Sequence, residues 1–418
     1  MIGITVQHPL RGIRTVKTWL NKHVHMWKFG NHGRRRFQHD PRYDLENVTR
    51  GFAPHLDGAC DDTQIVERIC TAYNKAKTAQ PSSQTAWELS ESSNRLREER
   101  LLPFLHALQQ NDIAALQTMM RSFYRDPCSA GLMAAPGGLS KAYFSGRIRD
   151  IYRHFYLSHV LYRLDYWREL TGRRFPTSQL AGPGVGNPFG IYLDDTHIPV
   201  GAEYSHYCAQ RVASLIDRTI TLRATIAEIG GGFGAIAYYL LRDHAPLTYI
   251  SFDVPERIAL STYYLMRAFP QRTFQLYGER PVSTQADIVL LPTFALATIG
   301  SAPVDITFSS NGLIDLAPRG LEEVLQKIDT VTRHALLYIG NQAGSDRVAS
   351  ASQSFALVER RALGWHSHKV SGAGVGGAAG LASSTQIEQS FVRKSAMKTF
   401  ATPTRAHATR EESHMVPR

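Results

Sequence analysis

A strand that runs directly into three consecutive glycines and out into a helix leaves a chain few options, and residues 225–241, TIAEIGGGFGAIAYYLL, form such a segment. The apolar run ends at Ile229 and the helix is expected to start near Phe233. Glycine is needed between them because the chain must turn sharply, often with positive φ, and because a ligand has to approach the backbone closely. The helix that follows presents unpaired N–H groups at its start. Gly230, Gly232 and Ala235 satisfy the spacing of a dinucleotide-binding turn. Glu228, two residues before the first glycine, favours a cationic ligand over a pyrophosphate, because a carboxylate there attracts an ammonium and repels a phosphate.

The surrounding chain alternates. ATIAEI, LTYISFD, ADIVLLP, VDITFSS and HALLYIGNQ read as strands, and residues 235–242, 258–268 and 321–332 read as helices between them. Such alternation predicts an α/β fold with a Rossmann-like, mostly parallel sheet and flanking helices. A helical N-terminal region is expected ahead of it. QIVERICTAYNKAK sets Ile65, Ile69 and Tyr73 on one face, and Pro103 falls in a first turn or at a kink of the next helical run. The Pro- and Gly-dense LAGPGVGNPFG, residues 180–190, marks a boundary. The expected division is a basic lead without strong periodicity over 1–45, a mainly helical region over 46–200, the Rossmann-like domain over 201–392 and a basic tail over 393–418. SGAGVGGAAGLASS, residues 371–384, reads as a flexible loop. The terminal EESHMVPR is given no functional weight.

EIGGGFG followed by a strand ending in FDVPE resembles the class I S-adenosylmethionine-dependent methyltransferases, and most nearly the sugar O-methyltransferase family. VDITFSSNGLIDL, residues 304–316, matches that family's later strand and Ser-rich turn in Asp305, Ser309, Ser310 and Asn311. It departs at Ile314-Asp315, where the family has a Glu-Met pair. The resemblance spans about residues 201–342, a third of the chain. It implies S-adenosyl-L-methionine as cofactor. Glu228, Gly230, Gly231, Gly232 and Gly234 would lie along its methionine part and Asp253 would take the ribose hydroxyls. Phe252 and Val254 would stand nearby, and Pro292 would border the adenine. It further implies transfer of a methyl group to a sugar hydroxyl of a glycan, lipid-linked sugar or natural product.

A hydroxyl nucleophile calls for alignment and for a proton acceptor. Open α/β sheets bind ligands at the carboxyl ends of their strands, and candidates are chosen on that basis. They are His206, in GAEYSHYCAQ ahead of the first long strand, and Asn311 and Asp315 after the fourth. YLDDTH, with Asp194, Asp195 and His197, reads as a turn rather than a metal cluster, and no metal is expected. The rival readings are an NAD(P)-dependent oxidoreductase on the same turn, which lacks a second βαβ half with a Tyr-x-x-x-Lys pair, and a non-catalytic binding protein with a methyltransferase fold.

The net charge of +11 is uneven: residues 11–42 hold nine Lys or Arg against one acid, Asp40, and Glu411 and Glu412 are the only acids from 393 onward. Trp19 and Trp27 are interleaved with the N-terminal basic residues. Two readings stand for these ends, solvated tails or a patch for an acidic surface such as peripheral contact of the N-terminus with an anionic membrane, and nucleic acid is not expected because no base-reading motif accompanies the charge. The four cysteines are scattered, which suits a reducing compartment. With no transmembrane run and no signal peptide read from the sequence, a cytoplasmic location is expected.

Overall fold

The computed structural model describes residues 24, 26–55, 61–82, 88–133, 148–219, 223–244, 246–281, 285–299, 304–365 and 386–397. The glycine-rich stretch 371–384, the loop at 135–140 and the terminal octapeptide lie outside them.

The N-terminal part is helical earlier than the sequence suggests. Residues 26–36 form a helix that buries Met26, Phe29 and Phe37. It is followed by α1 (Leu45–Phe52), α2 (Thr63–Ala79), α3 (Glu91–Leu96), α4 (Leu102–Gln110), α5 (Ile113–Arg121) and α6 (Asp150–Leu170). Starts are set by side-chain caps: Asp44 accepts from Glu46 N and Asp112 from Ala115 N. Pro103 sits in the first turn of α4, after a wide π turn over Arg97–Leu101, so it starts a helix without breaking one. YLDDTH is the tip of a two-stranded hairpin, β1 (Gly190–Leu193) and β2 (Thr196–Pro199). Asp194 and Asp195 both have positive φ there, as a two-residue hairpin turn requires.

The remainder builds an eight-stranded sheet. Helix α7 (Ala202–Thr219) leads into β3 (Ala224–Ile229), α8 (Ala235–Asp243), β4 (Leu247–Asp253), α9 (Pro255–Ala268), β5 (Phe274–Leu276) and β6 (Ile288–Pro292). Then come β7 (Val304–Ser310), α10 (Pro318–Val331), β8 (Thr332–Gly340), α11 (Gln342–Ala351), β9 (Phe355–Leu363) and β10 (Gln386–Arg393). The strand order is β5-β6-β4-β3-β7-β8-β10-β9. Neighbours from β5 to β8 are parallel, whereas β10 runs antiparallel to both β8 and β9. The expected α/β fold with a mostly parallel sheet is therefore present. The order reverses between β3 and β7, which places the topological switch at the carboxyl ends of those two strands.

Two apolar layers cover the sheet. Ile226, Tyr249, Ile306 and Leu337 pack toward α7, α8 and α9, in one core shared with Phe104, Leu116, Leu161 and Trp167 of the helical region. Ala227, Ile250, Val289 and Leu336 face α10 and α11. The last hairpin is fastened by charge. Arg211 of α7 donates to Glu388 at 2.7 Å and to Glu359 at 2.5 Å, and Tyr207 adds a bond to Glu388, which has 0% exposure. Removing the guanidinium would leave a buried carboxylate unbalanced, so Arg211→Ala is expected to lower stability by about 3–5 kcal/mol. Denaturant unfolding measures this directly, and a change below about 1 kcal/mol would show that the hairpin is held by packing alone.

Candidate functional site

The glycine turn after β3 is fixed from three sides. Gly230 N–H donates to Phe252 O of β4 at 2.7 Å, Gly232 N–H donates to Asp253 Oδ2 at 2.9 Å, and Ser309 Oγ donates to Ile229 O at 2.8 Å. Gly230, Gly232 and Gly234 all have positive φ, at 76°, 59° and 94°. At Gly230 there is a second demand for glycine: a Cβ would overlap Gly312, which follows β7, so two backbones meet across the switch point with no room for a side chain.

Beneath the turn lies a carboxyl. Glu228 is 1% exposed, receives a hydrogen bond from the Tyr249 hydroxyl, and sits so close under Gly231 that a Cβ there would be 3.0 Å from Oε2. Glu228 pairs with Ser251 across the strands, so the alternation of β4 sets Tyr249, Ser251 and Asp253 on the face it shares with Glu228. Burial pushes the Glu228 carboxyl up to about 8, with the Tyr249 hydroxyl opposing that rise and the Asp253 charge adding to it.

Asp253 ends β4. Its Oδ1 accepts from Val254 N at 2.7 Å while its Oδ2 holds Gly232. Burial raises its pKa to about 6, and Arg257, one helical turn on, works against that. Arg257 Nη1 lies 3.6 Å from Asp253 Oδ1 and 2.6 Å from Asp315 Oδ2. Asp315 also accepts from Ser93 Oγ at 2.9 Å, and its carbonyl from Ser90 N at 2.8 Å. The helical region is thus laced to the segment after β7. A cavity of about 230 Å³ opens just past Asp253, with Val254, Pro255 and Glu256 on one wall and Lys77, Gln80, Glu88, Leu89, Asn94 and Arg97 on the other.

Across the switch point a second polar group gathers. The Tyr204 and Ser310 hydroxyls are 2.7 Å apart, Asn311 Nδ2 donates to Tyr204 Oη at 3.3 Å, and Gln386 Nε2 donates to Asn311 Oδ1 at 3.2 Å. Asn311 adopts a left-handed backbone, φ 62°.

The sequence-chosen residues are distributed unevenly over this geometry. Glu228, Gly230, Gly231, Gly232, Gly234 and Asp253 come together at the turn. Val254 lines the cavity, Phe252 is packed in the core, and Pro292 pairs with Asp253 at the end of β6. Asn311 reaches the second polar group. Asp315 has both carboxylate oxygens engaged, by Ser93 and Arg257, and serves as a tie. His206 is not at the crevice: it is 0% exposed and enclosed by the rings of Trp167, Phe175 and Tyr239. Trp167 Nε1 donates to its Nδ1 at 3.2 Å, and burial drives its pKa down to about 4. As the first turn of α7 ends, Tyr204 faces β7 while His206 faces α8. Its role as proton acceptor is therefore withdrawn. Tyr249, Arg257, Ser93 and Gln386 were not anticipated. The period-two register of β4 and the i,i+4 spacing of Asp253 and Arg257 point to the first two, whereas Ser93 and Gln386 are brought in by tertiary contacts alone. Among the described residues no cluster of three or more His, Cys, Asp or Glu could hold a metal ion, and no helix is long and apolar enough to cross a membrane.

Two outcomes follow. Gly230→Ala forces both a positive φ and an overlap with Gly312 on a Cβ-bearing residue, so a loss of about 2–4 kcal/mol is expected in denaturant unfolding; a neutral result would mean that the two turns can separate freely. For Glu228, the unfolded chain releases its proton near 4.5 and the folded protein near 8. The folded state holds the extra proton between those values, so this stabilisation is complete below about 4.5 and is lost as pH rises through about 8. Glu228→Gln should flatten that descent, giving a higher thermal midpoint than the parent near pH 8 and convergence near pH 4.5. Parallel pH profiles would remove Glu228 from this account.

No protein-family profile matches the chain, and no curated protein is significantly similar to it. Among solved structures it is similar to magnesium protoporphyrin IX methyltransferase from Synechocystis PCC 6803 with bound SAM, at 10% identity and a TM-score of 0.31, covering 56% of this chain and 96% of that one. It is also similar to the N-methyltransferase NodS from Bradyrhizobium japonicum WM9 in complex with S-adenosyl-l-homocysteine, at 13% identity and a TM-score of 0.31, over 46% of this chain and 87% of that one. The mitomycin 7-O-methyltransferase MmcR aligns at 15% identity and a TM-score of 0.30, over 46% of this chain and 55% of that one. Likeness at this level bears on neither donor nor acceptor.

Proposed function

We propose that this chain is an S-adenosylmethionine-dependent methyltransferase whose acceptor is a hydroxyl group, most suitably that of a sugar. The observation that carries the reading is the pair of buried carboxyl groups, Glu228 and Asp253, set under and beside a glycine turn at the switch point. A dinucleotide would bring its pyrophosphate against them. The cation nearest Asp253, Arg257, already balances Asp253 and Asp315. S-adenosylmethionine brings a sulfonium and an ammonium instead: the Asp253 charge favours them, and an ammonium beside Glu228 would favour its ionised form in place of the proton it otherwise keeps. The sheet supports the same choice. Beyond β8 it continues into the antiparallel β10 rather than a second parallel half of the dinucleotide-binding kind.

The residues fit the group. Asp253 has lone pairs beyond the two backbone bonds it accepts, and these suit ribose hydroxyls. The cavity beside it, walled by Val254 and Pro255 opposite Leu89, suits a nucleoside base. When bound, the donor supplies an activated methyl group. The protein's own part is to hold the acceptor in line and strip water from it. Tyr204, Ser310, Asn311 and Gln386 provide hydroxyl and amide groups on the far side of the switch point, which suit a polyhydroxy acceptor better than an apolar one.

Calorimetric titration with S-adenosylhomocysteine, NADH and NADPH tests the reading. Micromolar binding of S-adenosylhomocysteine alone is expected, weakened by about tenfold or more in Asp253→Ala, since bonds to a charged partner contribute about 1.5–3 kcal/mol. Binding of a nicotinamide cofactor in its place, or of neither class, would overturn it. Retained donor binding with no methyl transfer to any hydroxylated acceptor would favour the non-catalytic alternative.

A further inference from the structure

The helix over residues 26–36 has one face fixed and one face unexplained. Its inner side is locked on α6: Phe29 meets Phe155 and Tyr162 at ring distances of 5.4 and 5.7 Å, and Phe37 meets Tyr162 at 5.0 Å. Gly33 lies so close to α6 that a Cβ would overlap Ser158. The rotation of the helix is therefore set, and the period of 3.6 residues turns Lys28, Arg34, Arg35 and Trp27 away from the protein. Trp27 is 58% exposed and Val24, just before it, 48%. Large apolar side chains standing singly on a surface need no account, but here a tryptophan stands among arginines. Among the described residues Arg34, Arg35, Arg36 and Arg173 form no ion pair with any carboxylate.

At the carboxyl end of this helix the surface is hollowed. Arg36, Arg168 and Arg173 line a cavity of about 510 Å³ together with Asp165, Glu169 and Phe175. Asp165 is bound by Arg42 at 2.9 Å, so the wall it contributes is already neutralised. The hollow keeps three guanidinium groups against the carboxylate of Glu169, and it lies on the flank that Arg36 takes, half a helical rotation from Trp27.

We propose that this face docks on an anionic phospholipid surface, with Trp27 entering the headgroup region and Lys28, Arg34 and Arg35 over the lipid phosphates. Charge complementarity carries the electrostatic part, with each basic residue at such a surface contributing about 1 kcal/mol. The indole discriminates between polyanions. Tryptophan is at home at the membrane–water boundary, whereas a nucleic acid would require aromatic platforms spaced for successive bases, and this face has one.

Flotation of the full-length protein with phosphatidylcholine vesicles carrying about 30% phosphatidylserine is the test, with pure phosphatidylcholine vesicles and a single-stranded RNA as comparison arms. Binding to the anionic vesicles alone is expected, falling as salt is raised. Combined Lys28→Ala, Arg34→Ala and Arg35→Ala should weaken it about 100-fold, three charges at about fivefold each. Trp27→Ala should weaken it about tenfold with little change in the salt dependence. All four residues are exposed, so thermal midpoints should match the parent's, and Arg173→Ala, on the other flank, should leave vesicle binding unchanged. Vesicle binding that is absent, or present but indifferent to both sets of variants, overturns the proposal. So does RNA binding that exceeds vesicle binding and is lost in the same variants.

Discussion

One hydrogen bond ties the middle of the glycine turn to the end of the neighbouring strand: Gly232 N–H to the carboxylate of Asp253. Without it the turn would be held only at its start, through Ile229 and Gly230, and the glycines that follow would keep a large conformational freedom to lose. With it, the end of β3, the end of β4 and the start of α9 become one rigid piece, because the same carboxylate holds Val254 N. The consequence spreads through Arg257, which faces both Asp253 and Asp315, and from Asp315 to Ser93 and Ser90 in the helical region. A chain of polar contacts therefore runs from the turn to the N-terminal helices.

The N-terminal helices do more than cover the sheet. Ile69, Ala72, Tyr73 and Ala76 of α2 lie against Pro255, Ile258 and Ala259 of α9, so the wall opposite the β4 turn is supplied by residues nearly two hundred positions earlier. Rigid elements on both sides favour a preorganised pocket, in which binding costs less ordering of loops.

The parts of this architecture visible in the sequence are those that local rules control. Strands β3, β4, β6, β7 and β8 are buried, β-branched runs punctuated by Gly, Pro and Asp, and they read correctly because a buried parallel strand has no polar face to blur the pattern, whereas the three-residue β5 is too short to show one. β10 did not read as a strand, because Gln386, Glu388, Gln389 and Ser390 give it the composition of a surface loop. Its burial is possible through Arg211 and Tyr207, which no spacing rule connects to it. β9 was equally obscured by Glu359, Arg360 and Arg361 on an edge. The helix at 26–36 was hidden by its charges, since only Met26, Phe29, Gly30, Gly33 and Phe37 mark its inner stripe. His206 shows the converse failure. A histidine near a sheet edge looks chemical until the tertiary fold closes three aromatic rings around it, and Asp315 looked free until Arg257 came to meet it.

The placement of β10 also bears on how the molecule is made. It follows β9 in the chain yet lies between β9 and β8, so when β9 leaves the ribosome the sheet has no finished edge to receive it. β8 must wait, with one side unpaired, until residues 386–393 emerge to fill the gap, and an open strand edge in a nascent chain is a template for wrong pairing. The buried charge on β10 offsets that hazard. Glu388 is a poor guest in any foreign sheet, because only α7 of its own chain presents Arg211 and Tyr207 at the right height. The same carboxylate that made the strand illegible from sequence selects its correct partner during synthesis.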